Sequence, residues 1–233
     1  MTPAVVHIAS GREWRGGQRQ VWLLASELAR RGIDQVVITG KGSELAQRLE
    51  TARVPVCPVS WQLSLDPRVL PAVTTKLRVH RSLLHAHDAH ALVLAGIAAR
   101  LTGSRLVATR RVVFPLKRSG FWRRADHIIA VSNAVRDVLI AAGVPRARIT
   151  VISDAVHLSP DDSGLDVRKR LNLPPEAQLA LNLGALTPEK AQSTLVHAAA
   201  LLVRDLPSLY WVVVGKGPMR RTLEREIAGN GLE

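Results

Sequence analysis

Short runs of branched apolar residues recur along this sequence, each parted from the next by an amphipathic stretch or a turn. That alternation constrains the chain more than any other feature. Strand, helix and strand in succession make a parallel sheet with both faces covered, because parallel neighbours need a long crossover connection. The strand candidates are residues 5–9, 36–39, 54–59, 83–87, 106–109, 127–131 and 149–152. The expected fold class is therefore α/β: a doubly wound, Rossmann-like parallel sheet over residues 1–157.

Helices fit between these runs at residues 18–30, 91–101 and 134–142. They stop at Gly32, Gly103 and Gly143, and the last stop is followed by Pro145. Glycine takes the left-handed conformation that closes a helix without steric cost. Residues 158–164 then turn polar and turn-forming, with Ser159, Pro160, Asp161, Asp162, Ser163 and Gly164, and read as a linker. Beyond it, strands at 179–183 and 211–214 alternate with helices at 167–171, 192–204 and 219–227. This is the first βαβα part of a second Rossmann-like domain, residues 165–233. Two strands bury little on their own, so the second domain is expected to be incomplete and open to self-association.

The formal net charge is +13, which favours an anionic partner such as nucleic acid, an acidic membrane surface or a phosphorylated substrate. The surplus is concentrated. Between Asp88 and Asp126 no acidic residue occurs, while Arg100, Arg105, Arg110, Arg111, Lys117, Arg118, Arg123 and Arg124 do. Phe114, Phe121 and Trp122 interleave with them, a mixture suited to an anionic membrane surface or a lipid-linked acceptor. The single cysteine, Cys57, cannot form an internal disulfide, and residues 1–9 lack a basic leader. No apolar run reaches the ~20 residues that span a bilayer. The expectation is a cytoplasmic protein, peripheral to the inner membrane face.

Candidate binding residues sit just past strand ends, where open α/β sheets hold their ligands. Gly16 and Gly17 open a helix, so backbone and helix dipole could meet a phosphate there. His85, His87 and Asp88 lie at the C-terminal end of the fourth strand candidate, with the two histidines on one face. A zinc site needs a third or fourth ligand, and the sequence offers neither a cysteine pair nor a helix-spaced histidine pair. Polar substrate contacts are therefore expected of His87 and Asp88, with no metal and no cofactor. Arg110 and Arg111 could grip a phosphate or carboxylate with two donors each, against the plain reading of a solvated basic face. Lys190, beside a helix start, suits a diphosphate. Gly215-Lys216-Gly217-Pro218 reads as a turn explained almost as well by packing.

Four segments together resemble the family four glycosyltransferases of GT-B fold. They are residues 13–20 (EWRGGQRQ), 85–88 (HAHD), 125–132 (ADHIIAVS) and 186–190 (LTPEK). The resemblance implies a sugar-transfer protein whose donor is a nucleotide-diphosphate sugar. It places the donor phosphates at Gly16, Gly17 and Lys190, and a phosphorylated or lipid-linked acceptor on the first domain. Two positions depart from the family pattern. Ala185 stands where many members carry arginine, and Arg110-Arg111 stand where many carry histidine. No catalytic residue is assigned. The acidic residues with which the family holds the donor sugar lie further into the second domain, so this chain alone is expected to be inactive. A non-catalytic binding module, or a basic nucleic-acid or membrane-surface binder, is the alternative.

Overall fold

The computed structural model describes residues 5–61, 66, 68–79, 82–116, 120–157 and 166–232. The chain divides into two compact units, Met1–Leu158 and Ser159–Glu233.

In the first unit the seven expected strands all form, as β1 (Val5–Ala9), β2 (Gln35–Gly40), β3 (Val56–Val59), β4 (Leu83–Ala86), β5 (Leu106–Arg110), β6 (His127–Ala130) and β7 (Ile149–Val151). They pair in parallel in the order β3-β2-β1-β4-β5-β6-β7. The chain winds outward from β1 in one direction, then returns to start again at β4. The crevice at that switch point is where a doubly wound sheet accepts a ligand.

Alternation along each strand sorts side chains to the two faces. Val6, Ile8, Ile38, Leu84, Ala86 and Ala108 pack with residues of α3 (Val69–Val79) and α4 (Ala89–Thr102). Ala9 and Val37 face the other way, onto Val21 and Ala25 of α1 (Gly16–Arg30) and Leu45 and Leu49 of α2 (Glu44–Thr51). Each such Leu, Ile or Val stabilises the fold by roughly 1.5–3 kcal/mol when fully buried. Helix α5 (Asn133–Ala141) is capped by the Ser132 hydroxyl, which accepts from the Val135 N–H, and buries Val135 and Leu139.

Helices α2 and α3 were not expected from the sequence. Ser43 starts α2 by accepting from the Ala46 N–H at 3.2 Å, and Leu45 and Leu49 fall four residues apart on its buried face. In α3 the buried residues Val69, Val73 and Leu77 keep the same spacing, although Pro71 and a β-branched composition disguise it.

The second unit holds β8 (Gln178–Leu183) paired in parallel with β9 (Leu209–Val214), together with α6 (Val167–Arg170), α7 (Gln192–Leu202) and α8 (Arg220–Gly229). Leu186, Val196 and Leu223 form its core, joined by Val213, Met219 and Ile227. The opposite face of the strand pair is open, with Leu181 66% and Leu183 76% exposed. Among the described residues no helix is long and apolar enough to cross a membrane.

Candidate functional site

At the carboxyl edge of the first sheet, α1 begins with Gly16 and Gly17. Its N-cap residue, Arg15, makes no side-chain cap hydrogen bond, and the first turn holds no acidic residue. The Arg15 side chain thus leaves the first N–H groups of the helix uncapped. A Cβ added at either glycine would meet nothing within 4 Å. Packing within the chain does not require glycine there.

Asp88 caps α4, and its carboxylate is committed. Oδ2 accepts from the Ser10 N–H at 2.7 Å, while Oδ1 accepts from the Ser10 hydroxyl at 2.5 Å and the Ala91 N–H at 2.8 Å. This side chain ties the loop after β1 to the start of α4, and so fixes the floor of the crevice.

His87 is 6% exposed and shares a 2.9 Å hydrogen bond with Nδ1 of His7 through its Nε2. His85, in register with His7 across the β1–β4 pair, lies with its ring centroid 4.0 Å from that of His87. Its Nε2 bonds the Thr109 hydroxyl at 2.7 Å. Burial lowers His7 from 6.5 to about 4, although the neighbouring Gln35 side chain acts in the opposite sense. Burial also holds His85 and His87 well below 6.5, helped by the mutual proximity of the rings and by Arg111. All three are neutral imidazoles near neutral pH.

The tandem arginines part company because successive residues of a strand point to opposite faces. Arg110 is 4% exposed and lies over the Trp122 ring, 5.2 Å from its centroid, with Nη2 donating to the Phe114 carbonyl. Burial lowers its pKa, and its Nε has no partner. Arg111 turns to the histidine side, donating to the His87 carbonyl at 3.1 Å and pairing with Asp154 at 3.2 Å. The interleaved aromatics also separate: Trp122 is buried, Phe121 packs against the main core, and Phe114 is 63% exposed. Lys117 and Arg118 lie outside the described residues.

In the second unit the loops after β8 and β9 are joined through backbone. Gly184 N–H donates to the Val214 carbonyl and Leu186 N–H to the Lys216 carbonyl. Lys190 ends a 3-10 turn, Pro188–Lys190, directly before α7; it is exposed and forms no ion pair among the described residues. Ala191, the N-cap of α7, provides no side-chain cap bond.

Sequence reasoning missed His7, Ser10 and Thr109. Each acts through a neighbouring strand, and only the order β1-β4-β5 brings them to His85, His87 and Asp88.

The first unit is a doubly wound parallel sheet with its polar groups gathered at the switch point, and the fold matches that of GT-B glycosyltransferase structures. Anabaena HepE in complex with UDP and glucose matches this chain with a TM-score of 0.83 at 21% identity, over 99% of this chain and 67% of that one. A glycosyltransferase from Rickettsia africae matches with a TM-score of 0.79 at 18% identity, over 99% and 66%. A family model described as Glycosyltransferase Family 4 matches residues 14–159, and one described as Glycosyl transferases group 1 matches residues 165–233. The chain belongs to Glycosyltransferase Family 4.

Among its relatives is a D-inositol 3-phosphate glycosyltransferase of Kineococcus radiotolerans, 29% identical over 237 residues, covering 84% of this chain and 54% of the relative. A GDP-mannose-dependent alpha-(1-6)-phosphatidylinositol monomannoside mannosyltransferase of Mycobacterium tuberculosis is 30% identical over 179 residues, covering 67% and 46%. The chain spans about half the length of these relatives.

Proposed function

We propose that this protein serves transfer of a sugar from a nucleotide-diphosphate sugar to a phosphorylated or lipid-linked acceptor. The observation that carries the reading is the start of α1 in the first unit, which has no side-chain cap and whose two glycines face open space. In the second unit Lys190, directly before α7, is exposed and offers positive charge there. A diphosphate leaving group needs such charge, and oriented N–H groups supply it without reorganisation. Relatives named for GDP-mannose and for inositol phosphates support the same classes of donor and acceptor. No metal or cofactor enters this scheme. Arg111, held beside His87, is the side chain of the first unit that we assign to an anionic acceptor; Arg110 supports the loop above it.

Titration of the 233-residue chain with nucleotide diphosphates and nucleotide sugars tests the reading. Lys190→Ala should weaken binding several-fold and leave the melting temperature unchanged, since the residue is exposed. Gly17→Ala should also weaken binding while raising helix stability by up to about 1 kcal/mol. Unaltered affinity in both variants would refute the assignment. We expect no steady release of free nucleotide diphosphate by these residues on their own, because only interactions that tighten in the transition state accelerate transfer. Release above a protein-free control contradicts that part.

We also propose that the first unit meets an anionic membrane surface through Val112, Val113 and Phe114, which are 45%, 55% and 63% exposed and are flanked by the basic surplus. Phe114→Ser should reduce sedimentation with phosphatidylserine vesicles. Equal sedimentation with neutral and anionic vesicles overturns the proposal.

A further inference from the structure

The three histidines at the switch point form a constellation to which the proposed transfer scheme assigns no role. Their candidate ligand atoms, one from each ring, all lie within 4.8 Å of one another, and His7, His85 and His87 are 1%, 5% and 6% exposed. His7 and His85 are register partners on adjacent parallel strands, and His87 follows His85 by two residues, so one face of the β1–β4 pair carries all three. We propose that His7, His85 and His87 form a binding site for a divalent cation of the zinc class, bridging β1 to the end of β4.

The bland reading is a satisfied cluster of buried imidazoles, and the hydrogen bonds do not complete it. Among the described residues the rings make the His7–His87 and His85–Thr109 bonds, while Nε2 of His7 and Nδ1 of His87 stay buried without a partner. A buried polar atom left unpaired costs about 1–3 kcal/mol. On ligation the proton of the His7–His87 bond moves to the outer nitrogen of its own ring, and both inner nitrogens turn lone pairs to the cation. The imidazoles are neutral at neutral pH, the protonation state that metal ligation requires.

The geometry lies near that of a bound site. Zinc–nitrogen bonds of about 2.0–2.1 Å at tetrahedral angles set ligand nitrogens roughly 3.3–3.5 Å apart. The His7–His87 pair stands at 2.9 Å and all three ligand atoms lie within 4.8 Å, so ring rotations must open the first separation and close the longer ones. The groups that orient the outer ring atoms are also in place: Thr109 holds His85, and the Gln35 side chain lies beside His7. Arg111 opposes a cation here, but its charge is paired with Asp154. Three imidazoles suit zinc and leave a fourth position for water.

The test uses the full chain, purified without a histidine tag, stripped with chelator and titrated with zinc chloride. One zinc per chain should survive desalting, the melting temperature should rise with zinc, and cobalt should give the visible absorption of a low-symmetry site. His87→Gln should abolish retention, whereas the exposed His90→Gln should not alter it. Thr109→Val, which keeps the shape of the core, should weaken affinity about 10- to 100-fold by releasing His85. Should His87→Gln fail to fold, the threonine variant decides alone. Absence of retained zinc in the parent chain, or unchanged affinity in Thr109→Val, overturns the proposal.

Discussion

At the scale of single residues, His7 shows what burial does to a titratable group and how far that can be read in advance. Its folded pKa of about 4 lies below the 6.5 it takes in an unfolded chain. The unfolded state therefore binds a proton first as the pH falls, and stability is fully present above 6.5 and lost on descending toward about 4. For His7 alone this amounts to about 3 kcal/mol, and His85 and His87 act in the same direction. Glu27, held down to about 2 by Arg30 and Arg31, gives up its proton-linked contribution at lower pH, so it does not imitate the effect. Urea unfolding with chelator present, repeated across this window, should show the loss, and His7→Gln should reduce it, with His85 and His87 supplying the remainder. A parent chain equally stable at both ends of the window would contradict the account. The sequence exposes His85 and His87 as a pair, because a two-residue spacing puts them on one face. It does not expose His7, since a lone histidine in an apolar strand says nothing about which strand will lie beside it.

At the scale of elements, the glycines after β9 set a limit on how the second unit can pack. A Cβ at Gly217 would stand 2.2 Å from the Leu186 carbonyl oxygen, and one at Gly215 would stand 1.8 Å from that of Gly184. Both obstacles are backbone, and backbone held by the Leu186–Lys216 hydrogen bond cannot yield cheaply. Gly217→Ala should therefore destabilise the second unit by roughly 1–3 kcal/mol, visible as a lower unfolding midpoint for the Tyr210 and Trp211 environment. An unchanged midpoint would mean that the loops can part without cost. Gly215, Gly217 and Pro218 mark a turn in the sequence but leave function and packing open as its reason; the partner carbonyls come from the loop after β8 and are not legible there. The same distinction runs through the first unit. Strands declared themselves because parallel strands buried on both faces read as unbroken apolar runs. Helices with glycine stops did so too, and Gly103 closes α4 in the left-handed conformation. Helices α2 and α3 did not: one is short with a modest apolar face, and the other carries Pro71 and three valines that disguise its period. The arginine pair was legible as a basic patch, but its division between Trp122 and His87 depends on strand phase at the very end of β5.

At the scale of the whole chain, the two units hold unequal amounts of buried apolar surface, and this difference predicts unequal dynamics. The first is covered on both faces of its sheet by two separate apolar clusters. The second gathers Leu186, Val196 and Leu223 on one side, while Leu181, Leu183 and Val214 stay 66%, 76% and 45% exposed on the other. Local opening needs less free energy where fewer apolar contacts must be broken, so amide exchange need not report a single global value. Hydrogen exchange followed by mass spectrometry on the 233-residue chain should find β1, β4 and β5 protected longest. Strands β8 and β9 should exchange earlier by orders of magnitude, since each 1.4 kcal/mol of opening free energy is about a tenfold change in protection. Exposed Leu181, Leu183 and Val214 share one face of the strand pair, as the register of Leu183 with Val214 requires. Contact between copies through that face would make protection of β8 and β9 rise with protein concentration while β1 and β4 stay constant. Equal protection in both units at all concentrations would show that the strand pair is held by something other than the packing described, and would overturn the proposed division of stability.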